Sequence, residues 1–210
     1  MTAATAGADK KPMSKSKAEI LDAAAEVFMK LGADTASIDD VARHLGATKG
    51  RIYHHFPSKG VLLAEVCLRA ADFVHEVVGP AVDASATPEA NLRRMIALHI
   101  PEILRTLPYH KVIIQSYVGM NQKSTTALER ELFDRIRVER RQYEDIFRNI
   151  LKAGIEDGSF REQNLSIALQ SVLLLINAPV FWYKPRKNEP TNFVADLTDQ
   201  LADMAVSALR

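Results

Sequence analysis

The segment from Ser37 to Lys59 reads SIDDVARHLGATKGRIYHHFPSK. It predicts a helix, a tight turn, a second short helix and the start of a third. Ser37, followed three residues later by Asp40, is a capping-box pattern at a helix start. Gly46 can adopt the positive φ that a sharp turn between helices needs. The second helix must stop before Pro57, because a proline disfavours helical geometry in the preceding residue.

The charge of this stretch is one-sided, with four Lys or Arg and no Asp or Glu between residues 41 and 60. The second short helix places Ile52 and Phe56 on one side and a polar set on the other: Lys49, Gly50, Tyr53 and His54. A short helix with a basic, aromatic outer face and an apolar inner face is suited to lie against DNA phosphates. The alternative is a helical corner of an unrelated protein with a solvated basic face.

These residues resemble the DNA-binding domain of the TetR family of bacterial transcriptional regulators. The resemblance rests on a Gly32 that precedes the Ser37 helix start, on a Ser58-Lys59 pair, and on the pattern Gly46, Gly50, Ile52, Tyr53, His55 and Phe56. It covers the N-terminal part of the chain. It implies an all-α protein with an N-terminal three-helix DNA-binding domain containing a helix-turn-helix, followed by a larger helical ligand-binding and dimerisation domain.

The same resemblance implies roles for the matching positions. Lys49 and Gly50 match positions near base edges, Ser37 matches a phosphate or base contact, and the matching phosphate contacts are Tyr53, His54 and Lys59. The predicted DNA-binding set is completed by Thr48 and Arg51 of the same short helix. Some family members place a base-reading arginine where this chain has Asp39. A carboxylate instead accepts from cytosine or favours the helix dipole.

Length, net charge and cysteine content restrict the classes of function that this chain can have. The 210 residues, 47% of them hydrophobic, suffice for one DNA-binding module and one larger helical domain. The net charge is only +1, so contact with nucleic acid must be local. The single cysteine, Cys67, excludes an internal disulfide framework and a multi-cysteine zinc site. We expect no cofactor, no membrane contact and a cytoplasmic location, since the N-terminus lacks a signal peptide and polar residues interrupt the apolar run Ala168–Phe181.

The helix pattern divides the chain into three parts: a disordered basic tail (1–13), the helix-turn-helix domain (14–60), and the ligand-sensing and dimerisation domain (61–210). The first helix is expected from residue 17, with a capping box of Ser16 and Glu19. The last two helices are expected at residues 164–181 and 191–209. The first of these is apolar on nearly all sides and must be covered. We therefore predict a two-fold homodimer in which these helices form a four-helix bundle, as the resemblance also implies.

The middle of the chain supplies candidates for the lining of a ligand cavity: Phe73, His99, Tyr117, Met120, Asn121, Tyr143, Phe147, Asn177 and Trp182. Core packing is the alternative for each of them. The segment Trp182-Tyr183-Lys184-Pro185 is similar to one in TetR members that control fatty-acid, steroid or aromatic-acid breakdown, some of which sense acyl-CoA. Four cations are candidate partners of CoA phosphates: Arg140, Arg141, Lys184 and Arg186.

These features together predict a repressor that binds a palindromic double-stranded DNA operator as a dimer. Two reading heads on a two-fold axis fit half-sites one helical turn apart, and a small molecule that changes their spacing would release the DNA. An enzyme is not expected, because the chain lacks a Gly-rich phosphate loop after a strand and a pair of histidines four residues apart on a helix. A helical protein–protein interaction module and a transcriptional activator are the alternatives.

Overall fold

The computed structural model describes residues 13–116 and 126–210. Residues 1–12 of the predicted tail and three predicted cavity residues, Tyr117, Met120 and Asn121, lie outside this part. Every regular element within it is helical, which confirms the all-α fold. The helices are α1 Lys15–Leu31, α2 Ile38–Leu45, α3 Lys49–His55, α4 Lys59–Val78, α5 Pro88–Arg105, α6 Leu107–Ser116, α7 Ala127–Glu156, α8 Leu165–Asn177, α9 Pro179–Trp182 and α10 Phe193–Leu209.

Local capping determines how the helix-turn-helix begins and turns. The Ser37 hydroxyl oxygen accepts from the Asp40 backbone N–H at 3.2 Å, and Asp40 accepts from the Ser37 N–H at 2.9 Å. This is the predicted capping box at the start of α2. Thr48 caps α3 and Ser58 caps α4. Gly46 ends α2 in the left-handed conformation with φ of 66°, which makes the turn into α3 possible without strain.

The start of α1 differs from the prediction. The N-cap is Ser14, and the capping box of Ser16 and Glu19 is wrong. Both of these side chains instead bind Arg51 of α3: its Nε donates to the Ser16 hydroxyl at 3.2 Å, and its guanidinium pairs with the Glu19 carboxylate. The side chains of Ser16 and Glu19, which the local pattern predicts to cap α1, therefore form charge-assisted hydrogen bonds between α1 and α3 instead.

The helix predicted over residues 164–181 is divided. The structure ends α8 at Asn177, and the short α9 begins at Pro179. Proline has no N–H to donate to the preceding turn, so the α8 hydrogen-bond ladder cannot continue through it.

Two hydrophobic cores meet along three helices. The first core packs α1, α2 and α3 against the N-terminal half of α4, and it also includes Tyr109 and Val112 of α6 and Phe133 and Ile136 of α7. The second core is formed by the C-terminal halves of α4 and α7 with α5, Leu107 of α6, and α8 to α10. As a result, α4, α6 and α7 each contribute to both cores.

One surface of α8, α9 and α10 is apolar and exposed. Ile167, Leu174 and Phe181 recur every seven residues and are each more than 60% exposed, and Trp182 and Met204 are also exposed. We call these five residues the apolar stripe. The segment Leu165–Trp182 has the length and mean hydropathy, 1.8, of a membrane span, and 39% of it is buried. The stripe is the set of large apolar side chains of α8, α9 and α10 that the chain itself leaves exposed.

Candidate functional sites

The outward face of α3 is the first candidate site. Its inner residue Ile52 is fully buried, while Tyr53 is 49% exposed. Lys49, Gly50 and His54 are exposed beside Tyr53. A Cβ added at Gly50 would meet nothing closer than the Thr48 hydroxyl oxygen at 3.8 Å, so packing within the chain does not require a glycine there. Gly50 therefore leaves the exposed surface of α3 free of a side chain near the start of the helix.

Lys49 has an acidic partner on the neighbouring helix. Its Nζ lies 2.6 Å from Oδ2 of Asp39, in the first turn of α2. Both side chains are about half exposed, and ion pairs of this kind contribute little net stability. Asp39 thus holds the Lys49 ammonium at the surface, where a phosphate can replace the carboxylate at small cost.

Other predicted DNA-binding side chains make contacts inside the domain. Arg51 is bound to α1, as described above. The Nζ of Lys59 donates to the carbonyl oxygens of Asp34 at 3.0 Å and Ala36 at 2.9 Å. The Thr48 hydroxyl oxygen accepts from the backbone N–H of Arg51. The Ser37 hydroxyl donates to Asp40 at 2.6 Å. These contacts hold the α1–α2 loop and the start of α3 in position.

A cavity of about 500 Å³ that opens to the surface is the second candidate site. It lies among α4, α5, α6, α7 and the α8–α9 segment, and its volume is in the range of small-molecule sites. Its wall is mainly apolar: Ala70, Ala71, Val74, Ile113, Ile114, Phe133, Ile136, Leu173, Leu174 and Phe181. The polar groups of the wall are His99, His110, Arg137, Arg140, Tyr143, Glu144, Gln170 and Asn177.

The structure brings only some of the predicted cavity residues to this wall, namely His99, Tyr143 and Asn177. Phe147 is not a wall residue, and its ring packs against those of His99 and Tyr143. Phe73 lies elsewhere, with the guanidinium groups of Arg69 and Arg105 at 4.1 and 5.3 Å from its ring centre. Trp182 is exposed in the apolar stripe.

Of the four predicted phosphate partners, Arg140 lies in the wall, whereas the other three are exposed outside it: Arg141, Lys184 and Arg186. Arg140 and its neighbour Arg137 are partly exposed at the rim and pair with Glu144 and Asp134. His110 is a wall residue that the sequence analysis missed. Its spacing from Leu107 and Ile114 places it on the buried face of α6, which is the signal that could have identified it.

The two wall histidines are held neutral. Nδ1 of His99 lies 2.7 Å from the Tyr143 hydroxyl. Burial lowers the pKa of His99 to about 4, against a smaller opposing effect of Asn177. Burial also lowers the pKa of His110 to about 3, and the nearby charge of His99 adds to this. Within the part of the chain that the structure describes, the Nε2 atom of each ring has no hydrogen-bond partner.

The Asn177 amide does not satisfy the His99 ring. The Asn177 N–H donates to the Leu173 carbonyl oxygen at 2.8 Å, and the side chain is close enough to raise the pKa of His99, as an accepting amide oxygen does, but this contact does not reach hydrogen-bond geometry at Nε2. The described residues also contain no group of three or more His, Cys, Asp or Glu side chains suited to a metal ion. Apart from Arg137, Arg140 and Glu144, the polar groups of the cavity wall are therefore uncharged.

Two contacts connect the cavity helices to the DNA-binding helices. The Tyr109 hydroxyl on α6 donates to the Asp22 carboxylate on α1 at 2.6 Å. The Ser58 hydroxyl, at the start of α4, donates at 2.6 Å to Glu129 in the first turn of α7. Burial, followed by the Asp22 contact, raises the pKa of Tyr109, so the hydroxyl stays protonated as a donor. Because α6 and α7 also line the cavity, each of these two helices contacts both the cavity and the DNA-binding domain.

Comparison with known proteins identifies the family. Residues 20–66 match the tetR family of bacterial regulatory proteins, and residues 85–209 match the tetracyclin repressor-like C-terminal domain. The chain therefore belongs to the TetR family of bacterial regulators. This confirms the prediction of a DNA-binding transcriptional regulator and sets aside the alternative of an interaction module without DNA binding.

Three relatives illustrate the likeness. The transcriptional repressor KstR2 of Rhodococcus jostii (strain RHA1) is 27% identical over 186 residues, which are 85% of each chain. The structure of the ketosteroid transcriptional regulator KstR2 of Mycobacterium tuberculosis has a TM-score of 0.79 at 20% identity, over 94% of this chain and 96% of that one. AibR, solved with isovaleryl coenzyme A and operator DNA, has a TM-score of 0.72 at 22% identity, over 93% and 98%. The two structures share the fold with this chain.

Proposed function

We propose that this chain is a transcriptional repressor that binds a palindromic operator as a homodimer and leaves the DNA when a small molecule fills its cavity. One observation carries the proposal. Helix α6 presents His110, Ile113 and Ile114 to the cavity and, through Tyr109, hydrogen-bonds to Asp22 of α1. A ligand that moves the wall formed by α6 also moves the DNA-binding helices, which is the two-state coupling that an allosteric repressor needs.

The DNA contact in this proposal is made by α3 lying in the major groove. Lys49 and Gly50 approach the base edges, while Tyr53 and His54 contact the phosphates. Arg51 and Lys59 support this face from behind, because their side chains are bound to α1 and to the α1–α2 loop. The salt bridge to Asp39 keeps Lys49 ordered at the surface before the DNA arrives.

The dimer in this proposal is formed by α8 and α10. The apolar stripe supports it, since a two-fold contact would cover Ile167, Leu174 and Phe181 together with Met204 of α10. A dimer interface of this kind accounts for the high hydropathy of Leu165–Trp182 without a membrane. It also fixes two α3 helices at the separation that a palindrome requires.

The effector in this proposal is an acyl-CoA. The apolar wall suits the acyl group, and the rim arginines, Arg137 and Arg140, suit the phosphates of coenzyme A. Two relatives support the choice. AibR was solved with isovaleryl coenzyme A, and KstR2 is named a ketosteroid regulator. The pairing of Arg140 with Glu144 would be exchanged for a phosphate contact on binding.

Two experiments test this function. In the first, the purified protein selects its operator from a random pool of duplex DNA; the proposal predicts enrichment of a palindrome and an affinity that falls steeply with salt. In the second, the melting temperature is followed with octanoyl-CoA and with free octanoate. A ligand at 100 times its Kd adds about 2.7 kcal/mol to the folded state. A rise with the thioester alone supports the acyl-CoA effector, and no rise with either contradicts it.

A further inference from the structure

Two buried imidazoles in the cavity wall each have an unpartnered Nε2 atom. His99 and His110 come from different helices, α5 and α6, and each is more than nine-tenths buried. A buried polar atom without a partner costs free energy comparable to a lost hydrogen bond. Two such atoms in the wall of one cavity therefore indicate that a hydrogen-bonding group belongs there.

The hydrogen bond to Tyr143 determines which nitrogen of the His99 ring carries the proton. Among the described residues, the Tyr143 hydroxyl has no other acceptor than Nδ1 of His99, at 2.7 Å. A phenol is a good donor, so its proton is directed to Nδ1. In a neutral imidazole the remaining ring proton must then be on Nε2. His99 is consequently a donor at its unpartnered atom, and the group that it lacks is an acceptor.

We propose that His99 and His110 form a subsite for an uncharged carbonyl oxygen, so that the effector is an apolar compound with a carbonyl group inside its buried part. The inference rests on the proposed effector cavity and adds the chemistry of its interior. In an acyl-CoA, the thioester carbonyl is the oxygen of this kind. The apolar walls then receive the acyl group, while Arg137 and Arg140 at the rim face the phosphates.

A carboxylate fits the interior less well. Burial of an unpaired charge in an apolar wall is costly, and both histidines are kept neutral by burial. The cations of the wall, Arg137 and Arg140, are partly exposed and already pair with carboxylates. An uncharged acceptor gains the Nε2 donor of His99, and a second donor where the ring proton of His110 is on Nε2, without that cost. A buried water is the competing occupant of the two Nε2 atoms, and the test below separates the two.

The test compares ligands that differ in one oxygen. Octanoyl-CoA carries the thioester carbonyl, and the octyl-CoA thioether has the same chain without it. The second pair lacks CoA and consists of 2-octanone and octane. Calorimetry or melting shifts give the affinities for the full-length protein. We expect the carbonyl member of at least one pair to bind about 10-fold more tightly, as one or two recovered hydrogen bonds would give.

Variants of the two histidines assign the effect to the subsite. His99→Leu and His110→Leu remove the ring nitrogens and are expected to abolish the preference, so that octanoyl-CoA and its thioether bind equally. His99→Gln and His110→Gln place an amide near the position of Nε2 and are expected to keep much of it. Thioether binding by the Leu variants shows that the cavity is still folded. It therefore separates a lost hydrogen bond from a lost structure.

The outcomes distinguish the subsite from the acyl-CoA effector. Preference for octanone over octane with no binding of either CoA compound overturns the acyl-CoA effector and supports the subsite. Equal binding within both pairs overturns the subsite and indicates that water occupies the Nε2 atoms. A preference that survives both Leu substitutions places the carbonyl elsewhere and also overturns it. Binding of none of the four compounds overturns both proposals.

Discussion

The Tyr109 hydroxyl and the Asp22 carboxylate meet at 2.6 Å although 87 residues separate them in the chain. The contact joins α6, which lines the cavity, to α1, which supports the helix-turn-helix. Tyr109 is also part of the hydrophobic core around α1 to α4 and lies edge-on against Phe73 of α4. The phenol therefore connects three helices, and a shift of α6 relative to α1 would strain or break its hydrogen bond.

We expect Tyr109→Phe to weaken the coupling between the cavity and the DNA. The substitution keeps the ring and removes the hydrogen bond to a charged group, which destabilises the fold by about 1–3 kcal/mol. The effector should still bind, but the ratio of operator Kd with and without octanoyl-CoA should fall by about 3-fold to 10-fold. Tyr183→Phe, which removes a hydroxyl–carboxylate contact with Glu189 outside the DNA-binding domain, is the control. An unchanged ratio in Tyr109→Phe would show that the signal takes another route.

We expect Gly50→Ala to have opposite effects on folding and on DNA binding. A Cβ at this position meets no atom within 3.4 Å, and alanine is the better helix former by up to about 1 kcal/mol. The melting temperature should therefore stay equal or rise. Operator affinity should fall at least about 10-fold, because the methyl group separates α3 from the base edges. Unchanged affinity in fluorescence anisotropy would mean that α3 does not approach DNA at Gly50.

We expect substitutions of Lys49 and of Asp39, which form an ion pair, to change the affinity for DNA in opposite directions. Lys49→Ala should lower the affinity for all DNA sequences and reduce the salt slope of binding by about 1. Asp39→Asn frees the ammonium group and should raise the affinity about 2-fold to 5-fold, the value of an exposed ion pair. Lys30→Ala removes an equally exposed lysine from α1 and serves as the control. A loss of affinity in Asp39→Asn would show that the carboxylate itself contacts the DNA.

The two wall histidines predict a loss of stability in mild acid. Their pKa values in the folded chain are about 4 and about 3, below the ordinary 6.5, so the unfolded chain binds more protons between these values. Stability is therefore complete above pH 6.5 and falls as the pH decreases toward 4, by at most about 1.4 kcal/mol per pH unit for each histidine. Urea titrations should show a flatter curve for the double variant His99→Gln, His110→Gln. An unchanged slope in the double variant would refute the assignment.

Patterns that act over a few residues predicted the helices well. The capping box of Ser37 and Asp40 and the positive φ of Gly46 are local, and the structure has both. The box predicted at Ser16 failed because Arg51, distant in sequence, takes its hydroxyl. The same limit applies to the cavity: helical spacing shows that His110 faces inward, but whether it meets a neighbour or a void depends on how α4 to α9 pack together.

Filling of the ligand cavity is expected to control the affinity of this protein for DNA. The decisive measurement is fluorescence anisotropy of the selected operator, titrated with protein at zero and at saturating octanoyl-CoA. We expect the thioester to weaken operator binding about 5-fold to 150-fold, the usual range of allosteric coupling. An operator affinity that stays constant while the melting temperature shows the cavity to be filled would refute control by the cavity.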